Sequence, residues 1–148
     1  MKNVYLELKK SHQKEVNDFP MSFAFDNKQF AEGMQKLGLN PKETNKIYKF
    51  GDTGGFYRKT DAEALHEMFN RHRREMEKAI AADQTGEGFI LDMFSYELAN
   101  HEYVITYSVQ DTLNALGLTE DQVNNNPALL KGLKQACKEQ QEYHKMYG

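Results

Sequence analysis

Apolar and polar positions along the chain fall into runs of distinct period. Tyr5, Leu8, His12, Val16 and Phe19 recur at near-helical spacing, which predicts an amphipathic helix over 3–17 that stops before Pro20. Met21, Phe23 and Phe25 alternate with Ser22 and Ala24, the period of a half-buried strand. Asp26 or Asn27 offers a cap for a short helix carrying Phe30, Met34 and Leu37, with Gly38 at its C-terminal end. Segments 47–50 and 55–59 flank Gly51-Asp52-Thr53-Gly54 as a hairpin. Thr60 with Glu63 reads as a capping box for a helix over 61–82, whose apolar stripe is Leu65, Met68, Phe69, His72, Met76, Ala79 and Ile80.

After a turn at 83–88, a helix over about 89–102 is apolar on nearly all sides except for a strip of Asp92, Ser95, Ala99 and Glu102. That pattern marks it as the central helix. Segment 103–107, YVITY, has strand propensity. Asp111 is expected to cap a short helix ending at Gly117. Thr119 and Gln122 form a second capping box, and Asn126-Pro127 starts a last helix carrying Leu130, Leu133 and Cys137. Together these elements predict an α+β fold, a small antiparallel sheet of three to four strands packed with about six helices. No Gly-, Ser- or Pro-rich linker interrupts it, so 1–148 is expected to be a single domain.

Composition narrows the function classes. The chain carries 19 Lys+Arg against 22 Asp+Glu, a formal charge of −3, which argues against a wholly basic nucleic-acid binder. Without an apolar run of about 18 residues, or a signal-peptide core near its start, the chain is expected to be cytoplasmic and to avoid membranes. A single cysteine, Cys137, excludes an internal disulfide framework and a Cys-rich zinc finger. The near-neutral total hides a segregation: 11 basic and 7 acidic side chains over 1–60, 4 and 10 over 61–103, and 4 and 5 over 104–148. Between Lys78 and Lys131 eight acids occur without a single base. Such a stretch makes a locally negative surface that steers toward a basic partner, or simply a solvated acidic face.

Few residues form a chemical constellation. Gly51–Gly55, GDTGG, lacks the Lys-Ser/Thr that closes a phosphate loop and the second carboxylate that an aspartic protease needs, so it reads as a turn. Cys137 sits on an apolar stripe, the setting of an inert core thiol. Glu63 and His66 have the E-x-x-H spacing of di-iron helices, but no second such motif accompanies them. Arg71, Arg73 and Arg74 point different ways around their helix and are interleaved with acids. Ile90, Phe94, Glu97, Leu98 and His101 share a face, so Glu97 and His101 point together toward apolar neighbours, and His72 lies on the stripe of the preceding helix. His72, Glu97 and His101 thus fit either a divalent-metal site, with zinc as the cofactor, or a buried hydrogen-bonded network in which Glu97 pairs with His101 or His72.

At GGFYRKTDAEALHEMF, GEGFILDMFSYELANHEY and DTLNALGLTEDQV the chain resembles a family of small uncharacterised proteins encoded in phages and mobile elements of Gram-positive bacteria. The resemblance covers roughly residues 1–137 and brings no catalytic residues. It implies a non-enzymatic accessory protein that binds a host protein, an anti-CRISPR-like inhibitor of a CRISPR effector nuclease in the host cytoplasm. The acidic surface then supplies the contact, with Glu87, Asp92, Glu102 and Asp111 as the binding charges. Two other readings stand beside it: a metal-dependent enzyme or zinc-stabilised regulator built on His72, Glu97 and His101, and nucleic-acid binding through the Lys-rich first 60 residues.

Overall fold

The computed structural model describes residues 2–148 and has an α+β fold, with eight α-helices and a three-stranded antiparallel sheet among the described residues. Contacts group the chain into two compact units. One comprises the residues up to Ser11 with Glu75–Gly148, the other His12–Arg74; the divisions fall inside helices α1 (Val4–Asp18) and α3 (Ala62–Ala82).

The sheet unit, His12–Arg74, holds β1 (Met21–Phe23), α2 (Asn27–Lys36), β2 (Ile47–Phe50) and β3 (Gly55–Arg58), in the strand order β1-β3-β2. Phe56 of the central strand faces Ser22 and Lys49 in register, and Tyr57 faces Met21 and Tyr48. The alternation sends neighbouring side chains to opposite faces. Phe56 joins Met34 and Leu37, whereas Tyr57 joins Leu65 and Met68. Helix α2 approaches the sheet at Gly33, where a Cβ would stand 2.7 Å from the Phe56 ring. The Ser22 hydroxyl donates to the Gly33 carbonyl there at 2.9 Å. Asp26 caps α2 by accepting from Gln29 N–H at 2.7 Å. The capping box expected at Thr60 and Glu63 is replaced by a 3₁₀ turn over Lys59–Asp61 leading into α3, with Arg58 Nε donating to Asp61 at 2.8 Å.

The helical unit is built on α4 (Phe89–Asn100), which buries Ile90, Met93, Phe94, Glu97 and Leu98, as expected of a central helix. It packs along α8 (Pro127–Tyr147). Small residues make that approach possible. A Cβ on Gly132 would lie 2.4 Å from Ile90, and one on Gly86, at φ +78°, would lie 2.2 Å from the Ala128 carbonyl oxygen. The turn before α4 is organised by the Asp83 carboxylate, which accepts from the N–H groups of Gly86, Gly88 and Ile90 at 3.0, 3.1 and 3.0 Å. Burial works against ionisation of Asp83, but these hydrogen bonds outweigh it and hold its carboxyl below the usual range.

Two local expectations change. Segment 103–107 forms a helical turn, α5 (Tyr103–Thr106), instead of a strand. Burial of Tyr103, whose hydroxyl accepts from Gln141 at 2.8 Å, overrides strand propensity here. Helix α6 (Gln110–Leu116) follows Val109, which offers no side-chain cap, so Asp111 lies inside the first turn, where its charge favours the helix dipole. The capping box at Thr119 and Gln122 opens α7 (Glu120–Asn124), and Asn126 with Pro127 starts α8.

Candidate functional site

The most unusual polar group in the helical unit is Glu97, a carboxylate only 2% exposed. A charge in that position requires partners. They come from α1. Tyr5 Oη donates to Glu97 Oε2 at 2.5 Å, and Lys9 Nζ donates to the same oxygen at 2.9 Å. His101 Nε2 lies 3.9 Å from Glu97 Oε1. Thr112, fully buried on α6, donates from its hydroxyl to the Glu97 backbone carbonyl at 3.3 Å. Burial first, and then the carboxylate it serves, pushes the Tyr5 phenol far above its ordinary value, so Tyr5 remains a donor. The Lys9 ammonium stands 5.1 Å from the Tyr96 ring centroid and 5.9 Å from that of Tyr5, and is attracted by both π faces. The expected partners of Glu97 were His101 or His72; α1 supplies the main ones, and no local spacing signals a contact across 92 residues.

His72 is buried in the sheet unit. Its Nε2 lies 3.2 Å from Glu15 Oε1, and its ring stacks on His12 at 3.8 Å between centroids. Arg71 also bonds to Glu15. That guanidinium, with His72 adding to it, holds the Glu15 carboxyl below the usual range. His72 is thus placed by Glu15 and His12, and Glu97 by Tyr5 and Lys9 with His101 nearby; among the described residues no three His, Cys, Asp or Glu side chains gather as a metal ion would require. Cys137 is half-buried, and burial pushes its thiol up, as expected for an inert cysteine.

The four acids expected to bind a partner differ in setting. Glu87 is met by Lys131 at 2.9 Å, which offsets its charge. Asp92 is half-buried on α4, where burial and then the nearby Asp83 raise its carboxyl. Glu102 and Asp111 are exposed. Between those two lies a feature that the charge pattern did not reveal: Ile105 and Tyr107, exposed by 71% and 64%. Glu102 and Tyr107 both adopt left-handed backbone, with φ of 56° and 55°, and enclose the single turn of α5. A left-handed conformation costs a residue with a side chain roughly 1–2 kcal/mol. Two such residues around one turn make a shape that its surroundings must hold in place, a pattern that clusters at functional sites. The turn is anchored by Tyr103, whose carbonyl accepts from Tyr107 N–H at 2.7 Å.

By charge, too, the units differ. The helical unit carries 8 basic and 13 acidic side chains, the sheet unit 11 and 9. Among the described residues no helix is long and apolar enough to cross a membrane. Nothing among curated proteins or solved structures matches the chain. A family model does match, over residues 4–139, and the chain belongs to that family, a family of unknown function, DUF7659.

Proposed function

We propose that the protein is a non-enzymatic binding module that recognises a basic protein surface through the 102–111 segment of its helical unit. The observation that carries this reading is the exposed pair Ile105 and Tyr107, displayed on a turn enclosed by two left-handed residues and flanked by the exposed acids Glu102 and Asp111. An apolar centre with a charged rim is the ordinary anatomy of a protein interface, in which the buried anchors carry most of the affinity and the rim charges steer the encounter. Between Lys78 and Lys131 the sequence holds no Lys or Arg. The partner class that complements it is a protein with a basic groove that handles nucleic acid. The CRISPR effector nuclease implied by the resemblance to phage-borne proteins has such a groove, and occlusion of it is the inhibitory mechanism.

Glu102 and Asp111 are the charges expected to matter most, with Asp92 secondary and Glu87 nearly silent because Lys131 offsets it. The test is cleavage of target DNA by a panel of purified, guide-loaded CRISPR nucleases with and without the protein. Inhibition of at least one nuclease, lost in the Glu102→Lys/Asp111→Lys variant and kept in Glu87→Gln, is the expected result. Absence of binding and inhibition across the panel removes the nuclease as partner, and binding unchanged by the double reversal removes the electrostatic surface.

A further inference from the structure

We propose that the sheet unit carries a self-association surface, the open edge of β1, to which a second copy of this chain adds its own β1 antiparallel about a two-fold axis at Ser22. In the order β1-β3-β2 each outer strand has one edge without a neighbour among the described residues. The parity of the ladder fixes which groups point there. Ala24 N–H donates to the Gly54 carbonyl at 3.0 Å, so Gly54 and, two residues on, Phe56 turn their backbone groups toward β1. Phe56 faces Ser22 in register. Ser22 therefore pairs its N–H and C=O with β3, and Met21 and Phe23 turn theirs to the open side. The same count leaves Ile47 and Lys49 facing outward on β2. There the exposed Lys49 guards the edge against pairing, whereas Met21–Phe23 carries no charge.

The edge of β1 is self-complementary. With Ser22 opposite its counterpart, Met21 of each copy meets Phe23 of the other, and the outward groups of these residues pair across the axis. Phe23 stands 54% exposed, its ring laid over Gly55, where a Cβ would stand 2.8 Å from it. Pairing sets the other copy's Met21 beside that ring on the same face of the sheet. On the opposite face a groove of about 410 Å³ runs between β1 and α2, and its helix wall presents Glu32 and Lys36, both exposed and four residues apart. The two-fold axis sets the two copies of α2 antiparallel, so Glu32 of each approaches Lys36 of the other. A wall with one acid and one base is complemented by a copy of itself, and by neither a polyanion nor a polycation. Pro20 ends the strand on one side and the turn of Ala24 to Gly54 on the other, so the patch is short and the dimer it forms is weak and reversible.

The experiment is sedimentation velocity of the full chain from micromolar to millimolar concentration. The weight-average mass is expected to rise from one chain mass toward two. Phe23→Lys, which sets a charge on the edge, should raise the dimer dissociation constant about tenfold or more. Glu32→Lys should raise it about threefold or more, since each dimer loses two charge pairs. The exchanged variant Glu32→Lys/Lys36→Glu should recover the wild-type constant, because the two-fold axis restores both pairs. All three positions are exposed, so the variants are expected to keep the wild-type melting temperature; should Phe23→Lys fail to fold, the two α2 variants decide. A monomer throughout the range overturns the proposal and leaves the edge to a strand from a different protein. A dimer that Phe23→Lys and Glu32→Lys leave equally tight also overturns it, because its interface then lies elsewhere, and an exchanged variant as weak as Glu32→Lys alone overturns the two-fold arrangement. No nuclease enters this assay, so the β1 edge and the 102–111 surface stand or fall separately.

Discussion

Glu97 in the helical unit and Glu15 in the sheet unit are built from similar parts, one carboxylate met by one cationic side chain and one ring-bearing donor. Glu97 has Lys9 and Tyr5, and Glu15 has Arg71 and His72. What separates them is water. Glu97 is 2% exposed, whereas the Glu15 side chain is 37% exposed. In the first case each hydrogen bond offsets a desolvation cost that solvent cannot repay, so losing one partner leaves a buried acceptor short. In the second, water replaces a lost partner and screens the pair. The same chemistry therefore holds one unit's core together and only adjusts the surface of the other.

Substitutions that break this contrast rank by how little the surroundings can yield. The largest effect is expected for Gly86→Ala. Its added Cβ would meet backbone, the Ala128 carbonyl oxygen, at a position that already has φ +78°, so a loss of about 3 kcal/mol is expected, a fall in Tm of roughly 6–12 °C for a chain this long. Gly33→Ala in the sheet unit meets mainly the Phe56 ring and the Ser22 side chain and should cost less than half as much, because a ring shifts more readily than a backbone. Thermal melts of the two variants side by side decide this.

Tyr5→Phe comes next. Removing the phenol oxygen takes away one of the two hydrogen bonds to the Glu97 carboxylate, leaving that of Lys9 with His101 3.9 Å away, and should cost about 1–3 kcal/mol. Glu15→Gln should shift the melting temperature much less. If the two shifts are equal, burial does not separate these carboxylates.

Glu102→Gly is expected to raise stability by up to about 1 kcal/mol, since glycine adopts the left-handed backbone without the side-chain penalty. The same change removes a rim charge, so partner binding should weaken while the protein becomes more stable. A variant that loses stability would show that Glu102 makes contacts worth more than the strain it bears.

The smallest effect concerns pH. Glu15 and Asp83 both have folded-state carboxyl groups held below their ordinary values. Their contribution is therefore fully present above the unfolded carboxylate range, about 4, and is lost as pH falls through the lower folded values. Tm measured from pH 7 downward should be nearly flat as far as these groups are concerned and should then decline, and Glu15→Gln should make the acid limb shallower.

Much of the fold could be read along the chain because its signals are local. The hairpin at Gly51–Gly54, the Thr119–Gln122 capping box, the Asn126-Pro127 helix start and the buried face of α4 all depend on neighbours within a few residues. Segment 103–107 misled because strand propensity is a weak preference that packing overrides, and here Tyr103 is committed to the helical core. The candidate site was legible in part. That Glu97 is buried beside His101 followed from helical spacing; that its main partners are Tyr5 and Lys9 depends on contacts across 88 and 92 residues, which no periodicity records. The acid-rich stretch was visible as composition, but composition could not separate Glu87, held by Lys131, from Glu102 and Asp111, nor reveal that Ile105 and Tyr107 stand exposed between them.

The exposed turn with Ile105 and Tyr107 is proposed here as the anchor of a protein interface. Its most direct test is the Kd of the wild-type protein and of the Ile105→Ser/Tyr107→Ser variant for the same guide-loaded nuclease, measured by titration calorimetry with melting temperatures checked in parallel. A weakening of roughly 30-fold or more, the scale of losing an interface hot spot, at unchanged Tm is the predicted result; equal affinity in two equally stable proteins would contradict it.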